Sequence, residues 1–230
     1  MNEWVALLAA CAVAYTAHAV ALTRACVRAL CSRASTGEQP TVSVIVCIKD
    51  DAEHWPAWWA AMKGQQWPAG TEVIAIDDGS TDELPTLLTQ AAQEEAPFTF
   101  IHHRIEETSP GKRDALRFGV GQASGEWLLF TDVDCQPAGS AWASEMTAGH
   151  PDDVAAVLGV SWPKDGTPAT GLARAQALDA LYIMRSYVGW AERGKPYMGV
   201  GRNLAIRRSV FPGFSNAPAT ASGDDDMVIQ

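Results

Sequence analysis

Residues 71–82 read TEVIAIDDGSTD, an apolar run that stops abruptly at two aspartates, a glycine and two hydroxyl residues. A stretch rich in β-branched residues and lacking polar alternation is typical of a strand buried on both faces of a parallel sheet. Two more stretches have this character, TVSVIVCI at residues 41–48 and EWLLFT at residues 126–131. They run into Lys49-Asp50-Asp51 and Asp132-Val133-Asp134. Each predicted strand therefore ends in carboxylates.

Helix-length segments separate these strands. The pattern predicts helices over residues 55–62 and 111–123, and shorter strands over residues 98–102 and 154–160. Ser80 and Glu83 have the spacing of a capping box that would open a further helix. Strands alternating with helices predict an α/β sandwich with a mostly parallel central sheet. Ligands of such sheets bind beyond the carboxyl ends of the strands, where the acids stand.

Composition excludes several classes of protein. The chain has 17 basic and 27 acidic residues, a net charge of −10, and no Lys/Arg run. A nucleic-acid partner normally requires a basic stripe, so we expect none. The five cysteines are odd in number and include no Cys-x-x-Cys pair, which argues against a disulfide framework and against a zinc site.

The N-terminus has the features of a membrane anchor. Residues 4–22 carry no formal charge, close to the ~20 residues that span a bilayer. Glu3 precedes this segment and Arg24, Arg28 and Arg33 follow it, which predicts one pass with the rest of the chain on the cytoplasmic face. We expect an anchor over 1–31, a linker over 32–40 and one folded domain over 41–230. A buried or interfacial helix is the alternative.

A second long helical pattern covers residues 168–192. Its apolar positions form a stripe that is predicted to pack against the core, because amphipathic stripes usually face inward. A position on the membrane surface is the alternative.

The three acidic strand ends predict a cation site. Carboxylates that share one rim repel each other unless a cation neutralises them, and Mg²⁺ or Mn²⁺ prefers such oxygen ligands. A diphosphate would complete the shell of the ion. The competing interpretation is that each aspartate only caps the helix that follows it.

Three segments resemble, in order, the nucleotide-binding half of family 2 glycosyltransferases. They are TVSVIVCIKDDAEH (41–54), QQWPAGTEVIAIDDGSTD (65–82) and SPGKRDALRFGVGQASGEWLLFTDVDC (109–135). The resemblance covers residues 40–137. It implies a GT-A (nucleotide-diphospho-sugar transferase) Rossmann-like fold and inverting, metal-assisted transfer from a nucleotide sugar. The donor half would be 41–137 and the acceptor half 138–230.

The resemblance also implies roles for individual residues. Asp78 matches the carboxylate that binds a uracil-type base, which favours a UDP-sugar, and Asp50 lies near the nucleotide. Lys112 matches the basic start of a helix that approaches the diphosphate. Asp132 and Asp134 form the family's DxD motif. Asp134 would bind the metal, and Asp132 would contact the ribose or reach the metal through water.

The acceptor half carries a weaker resemblance. Gly201 and Asn203 match a segment that lines the acceptor side, and residues 222–226 (SGDDD) match the segment of the general base. Gly223 replaces the usual Glu, and the base is either Asp224 or Asp225. That base would deprotonate the hydroxyl of a glycan or lipid acceptor. A Gln-x-x-Arg-Trp segment and further membrane helices do not follow before Gln230, so we expect a fragment of a longer protein, with a short non-processive form as the alternative.

Two other functions fit parts of the pattern. A sugar-phosphate nucleotidyltransferase shares the α/β architecture and the use of a metal, but Lys49-Asp50-Asp51 is a poor cradle for a triphosphate. A non-catalytic membrane subunit that binds a nucleotide sugar would explain the missing Glu at Gly223.

Overall fold

The computed structural model describes residues 2–31, 39–106, 112–162 and 170–211. The chain divides into two compact units. Among the described residues, the helical unit joins 2–31, 160–162 and 170–198, and the sheet unit joins 39–106, 112–159 and 199–211.

The sheet unit is built on a six-stranded sheet in the order β3-β2-β1-β4-β6-β5. Strands β1, β2, β3 and β4 are mutually parallel, whereas β6 runs antiparallel to both β4 and β5. The predicted mostly parallel sheet is confirmed. The strands are β1 Val42–Ile48, β2 Glu72–Asp78, β3 Thr99–Ile105, β4 Trp127–Thr131, β5 Ala156–Leu158 and β6 Asn203–Arg207.

Helices cover both faces of the sheet. They are α2 Trp55–Lys63, α3 Leu84–Ala91, α4 Arg113–Gln122 and α5 Trp142–Thr147, and a 3₁₀ turn at Arg208–Val210 follows β6. Neighbouring residues of β1 point to opposite faces, as the period of a strand requires. Val44 and Val46 pack with Trp58 of α2, whereas Ile45 packs with Leu116 of α4. Residues buried on both faces explain why the strands read as continuous apolar runs.

Helix α4 approaches the sheet closely at Gly119. A Cβ there would lie 2.9 Å from Ile45 Cγ2 and 3.2 Å from Ile76 Cγ1. This close approach fixes the position of the helix whose first turn follows Lys112.

The start of α3 differs from the prediction. The predicted capping box between Ser80 and Glu83 is wrong, since α3 begins at Leu84 without a side-chain cap from Glu83. The Ser80 hydroxyl accepts a hydrogen bond from Asp50 N instead, at 2.9 Å. The carboxylate of Asp82 accepts from Leu84 N at 3.0 Å. The Ser80 hydroxyl therefore joins the loop after β1 to the loop after β2, and the Asp82 carboxylate accepts from the first turn of α3 in its place.

The helical unit consists of α1, Asn2–Cys31, and α6, Gly171–Ala191. The segment Trp4–Leu30 of α1 is long and apolar enough to cross a membrane, with a mean hydropathy of 2.0 in its most apolar window. Near its C-terminal end, Leu22, Ala25 and Cys26 are buried. The predicted burial of the α6 stripe is wrong. Leu172 and Leu178 are 71% and 67% exposed, and the buried residues of α6 lie only near its C-terminal end.

Candidate functional site

A cavity of about 260 Å³ opens at the carboxyl ends of β1, β2 and β4. Four of the residues predicted from the sequence line it together, although they are far apart in the chain: Asp78, Lys112, Asp132 and Asp134. The remaining lining residues are Cys47, Ile48, Lys49, Asp51 and Val133. Parallel strands bring these ends to one edge, since Ile48 of β1 pairs with Asp77 of β2 and Val46 pairs with Thr131 of β4.

The two adjacent aspartates at the end of β2 have different surroundings. Asp77 is buried and accepts a hydrogen bond from Ser80 N at 2.8 Å. Arg104 of β3 lies 3.5 Å from the other oxygen of Asp77 and donates to Ser80 O at 2.8 Å. Gly79 adopts φ +73°, a conformation that favours glycine, and turns the chain sharply after Asp78. Asp77 therefore holds the turn, and Asp78 lines the cavity.

Asp50 joins the loop after β1 to the loop after β2. It adopts φ +49°, and its carboxylate accepts from Thr81 N at 2.6 Å and from Thr81 Oγ1 at 3.0 Å. The hydrogen bond from the Thr81 backbone is the main cause that lowers the pKa of Asp50. Asp50 does not line the described cavity, whereas its neighbour Asp51 does.

Asp51 forms a pair with His54 that sequence reasoning missed. His54 Nδ1 and Asp51 Oδ1 lie 2.5 Å apart. The hydrogen bond that the His54 ring donates to Asp51 is the largest cause that raises the pKa of His54, and the charge of Asp134 contributes as well. The only signal in the sequence is the Asp-x-x-His spacing, which brings two side chains together when the chain turns into α2.

Lys112 reaches across the cavity to the DxD segment. It precedes the first residue of α4, and its ammonium group donates to Asp132 Oδ1. Both side chains are partly exposed. Within the cavity, Lys112 thus partly neutralises one of the clustered carboxylates.

Cys135 follows the DxD segment. Its Sγ lies 3.2 Å from Asp134 Oδ1. Burial, followed by the bond to Asp134, raises the pKa of the thiol to about 12. A thiol with such a pKa stays protonated at neutral pH and is a poor nucleophile.

The oxygen ligands of this cavity would supply part of the coordination shell of a hard cation. Asp132 and Asp134 offer carboxylate oxygens, which are the ligands that Mg²⁺ and Mn²⁺ prefer. Among the described residues, no three His, Cys, Asp or Glu side chains are grouped so as to hold a metal ion by themselves. The residues present therefore fit an ion that takes its other ligands from a bound diphosphate.

Asn203 and Gly201, which the sequence predicts on the acceptor side, do not line the described cavity. Asn203 opens β6 and pairs with Thr131, the last residue of β4. Its Oδ1 accepts from Trp142 Nε1 at 3.0 Å, and its backbone O accepts from Gly159 N at 2.8 Å. Gly201 lies in the turn just before β6. Asp224 and Asp225 lie outside the described residues.

Sequence comparisons identify relatives of this chain. The model of the family described as glycosyl transferase family 2 matches residues 43–212. The glycosyltransferase AglE of Haloferax volcanii is 30% identical over 139 residues, which are 58% of this chain and 44% of that protein. The undecaprenyl-phosphate 4-deoxy-4-formamido-L-arabinose transferase of Yersinia enterocolitica is 29% identical over 145 residues, 61% of this chain and 39% of that protein. The chain spans about two fifths of the length of these curated relatives.

Solved structures share the fold. The mannosyltransferase PcManGT from Pyrobaculum calidifontis, in complex with GDP-Man and Mn²⁺, matches with a TM-score of 0.66 and 22% identity. The match covers 95% of this chain and 61% of that chain. The glucosyl-3-phosphoglycerate synthase of Mycobacterium tuberculosis, in complex with UDP, matches with a TM-score of 0.51 and 15% identity over 75% of this chain and 58% of that one. The expected GT-A fold is confirmed.

Proposed function

Because the chain belongs to glycosyl transferase family 2, we propose that it transfers a sugar from a nucleotide-diphosphate sugar to an acceptor hydroxyl with inversion of configuration. The observation that carries the proposal is the convergence of Asp78, Lys112, Asp132 and Asp134 on one cavity. A cation and a pyrophosphate match this set, because it presents three carboxylates and an ammonium group on one rim.

The donor would bind from Asp78 towards the DxD segment. An ionised carboxylate accepts a hydrogen bond from the ring N–H of a uracil-type base, so Asp78 favours a UDP-sugar. Lys112, at the start of α4, would bind the diphosphate, since a helix N-terminus and an ammonium both attract phosphate. Asp50 holds Thr81 and so keeps the turn that carries Asp78 in its binding shape.

Asp134, with Asp132, would hold Mg²⁺ or Mn²⁺. When bound, the ion supplies a Lewis acid that stabilises the leaving diphosphate. Lys112 also neutralises Asp132 in the cavity, so binding of an ion and donor requires this ammonium group to share Asp132 or to move to the diphosphate.

The acceptor would approach from the side of β6. Asn203 and Gly201 would contact the acceptor, and Asp224 or Asp225 would take the proton from its hydroxyl. Neighbouring carboxylates raise the pKa of at least one of them, which helps that group to act as a base near neutral pH. A glycan or a lipid is the proposed acceptor. The similarity to the undecaprenyl-phosphate 4-deoxy-4-formamido-L-arabinose transferase of Yersinia enterocolitica supports a lipid.

We place the enzyme at a membrane, with α1 as a single-pass anchor over 1–31, a linker over 32–40 and the catalytic domain over 41–230 on the cytoplasmic face. The length and hydropathy of Trp4–Leu30 support the anchor. Arg24 and Arg28 at its C-terminal end support the orientation.

A ligand panel tests the proposal. The full chain is heated with UDP-, GDP- and dTDP-sugars, with and without Mn²⁺, and a specific donor raises the melting temperature by mass action. Asp78→Asn should weaken binding of the best donor about 10- to 100-fold, the loss expected for a hydrogen bond to a charged group. Asp114→Asn is the matched control, because Asp114 is an exposed residue of α4 that pairs with Arg117.

The product separates the possible activities. Release of free nucleoside diphosphate, dependent on an acceptor, supports glycosyl transfer. Release of pyrophosphate would instead identify a nucleotidyltransferase. Donor binding without turnover, unchanged by Asp224→Asn and Asp225→Asn, would identify a binding subunit.

A further inference from the structure

Helix α6 presents apolar side chains to its surroundings along most of its length. Among its 21 residues, Leu172, Leu178, Leu181, Tyr182 and Ile183 are exposed. Scattered exposed leucines need no explanation, but Leu178, Leu181 and Tyr182 are spaced three and four residues apart and share one side of the helix, so they form a patch of the kind that marks an interaction surface. We therefore expect α6 to contact a partner that offers an apolar environment.

Helix α6 is attached to the basic end of α1. Gly189 lies so close to α1 that a Cβ on it would be 2.8 Å from Leu22 O, and the rings of Trp190 and His18 are 5.6 Å apart. This contact lies next to Arg24, which follows the uncharged run 4–22 and falls within the segment Trp4–Leu30 that could cross a membrane. The exposed face of α6 is thus continuous with a helix whose exposed side chains are themselves apolar.

The two helices differ from the rest of the chain in the sign of their net charge. Helix α1 together with residues 171–195 contains six basic and three acidic residues, whereas the whole chain contains 17 basic and 27 acidic residues. The helical unit is therefore basic in an acidic protein. A second copy of the same basic surface would be repelled, whereas an anionic membrane surface attracts basic residues.

Aromatic and basic side chains are paired near the C-terminal end of α6. The guanidinium group of Arg185 lies 4.7 Å from the ring centre of Tyr182, and that of Arg193 lies 5.7 Å from a ring centre of Trp190. Tyr and Trp are enriched at the boundary between headgroups and acyl chains, and Arg extends its charge from there towards water.

We propose that α6 lies at the membrane–water interface beside the basic end of α1, with its exposed leucines among the acyl chains and its basic residues on anionic phospholipid headgroups. The inference rests on the proposed anchoring by α1. It adds a second contact with the membrane, because a lone helical anchor fixes only one point of the protein.

Photo-cross-linking in nanodiscs tests the inference on the full chain. A photoreactive phenylalanine analogue is introduced singly at Leu178 of α6, at Val13 of α1, or at Phe118 of α4. All three positions are exposed, and Phe118 belongs to the sheet unit. The discs contain phosphatidylcholine alone or with phosphatidylglycerol, and the adducts are identified by mass spectrometry. We expect lipid adducts at Leu178 and Val13 but not at Phe118.

Charge removal tests the role of the anionic lipid. Arg174→Gln combined with Lys195→Gln should lower the lipid adduct at Leu178 at least about fivefold in phosphatidylglycerol discs, since each basic residue near such a surface strengthens binding about fivefold. The labelling at Val13 should not change. Lys63→Gln combined with Arg117→Gln removes one partly exposed and one exposed basic residue of the sheet unit and is the matched control.

The outcomes separate this inference from the anchor. Lipid adducts at Val13 without any at Leu178 overturn the inference and leave the anchor standing. Lipid adducts at neither position overturn both. Adducts of Leu178 with a second protein chain would identify self-association in place of lipid. Equal labelling at Leu178 with and without phosphatidylglycerol would overturn the role of the anionic headgroups.

Discussion

A methyl group added at Gly159 would overlap the carboxamide of Asn203. Gly159 N donates to Asn203 O at 2.8 Å, so the two backbones are fixed next to each other. The side chain of Asn203 must therefore move when Gly159→Ala is made. Its hydrogen bond from Trp142 Nε1 would be lost with this movement.

The lost hydrogen bond sets the size of the effect. Trp142 is 8% exposed, so its indole N–H has little access to water as a replacement partner. A buried donor left without an acceptor costs about 1–3 kcal/mol, and we expect Gly159→Ala to lower the free energy of unfolding by about 2 kcal/mol. The acceptor KM should also rise if Asn203 contacts the acceptor, while the dissociation constant of the donor stays unchanged.

A double-mutant cycle isolates this contact. Urea unfolding, followed by tryptophan fluorescence, is measured for wild type, Gly159→Ala, Asn203→Ala and the double variant. In the double variant the methyl group enters the space that Asn203 has left, so the pair should cost no more than Asn203→Ala alone. Gly139→Ala is the control, because a Cβ there meets nothing within 4 Å. It should stay within about 0.5 kcal/mol of wild type.

Additive losses in the cycle would refute the reasoning, since they would mean that the two positions act independently. A Gly159→Ala variant as stable as the Gly139→Ala control would also refute it.

Three further changes test other parts of the site and of the sheet. Asp134→Asn should abolish the Mn²⁺-dependent part of the stabilisation by the donor while leaving the metal-independent part, as thermal shift measures; an unchanged Mn²⁺ response would contradict the metal role. Burial alone would raise the pKa of Glu72, but hydrogen bonds from Ser124 and Ser43 outweigh it and lower the pKa. The contribution of Glu72 to the free energy of unfolding is therefore complete above its unfolded pKa of about 4.5, and it is lost as pH falls through the lowered folded pKa. The unfolding free energies of wild type and Glu72→Gln should therefore converge on acidification. The pKa of His54 is raised, so the stabilisation by its pair with Asp51 is complete below about pH 6.5 and is lost as pH rises through the folded pKa. If the difference in melting temperature between His54→Asn and wild type stays constant from pH 6 to 9, the pair is ruled out.

The architecture of the sheet could be predicted because its signal is local. Strands β1, β2 and β4 are buried on both faces, so each reads as an apolar run that no solvent-facing residue interrupts. The convergence of Asp78, Asp132 and Asp134 follows from parallel pairing alone. Strand β6 gives no comparable signal, because only its three central residues are buried and its ends are the polar residues Asn203 and Arg207.

The details of the site depend on geometry that the sequence does not carry. Asp50 and Asp51 are chemically identical neighbours, and the turn with φ +49° at Asp50 decides which of them faces the cavity. The pair of Asp51 with His54 depends on the same turn. Helix α6 shows a different limit, since a regular apolar period identifies a helix face but not what covers that face.

The reversal of strand direction between β4 and β6 has a consequence for how relatives with this fold can vary. Thr131 at the end of β4 pairs with Asn203 at the start of β6, so the segment before β6 reaches the carboxyl end of β4 from the opposite direction of the chain. Insertions in that segment add length outside the β1–β2–β4 ladder, deletions remove it there, and neither changes the register of the ladder. The surface on the β6 side can therefore vary in loop length while the carboxylates that line the cavity keep their spacing.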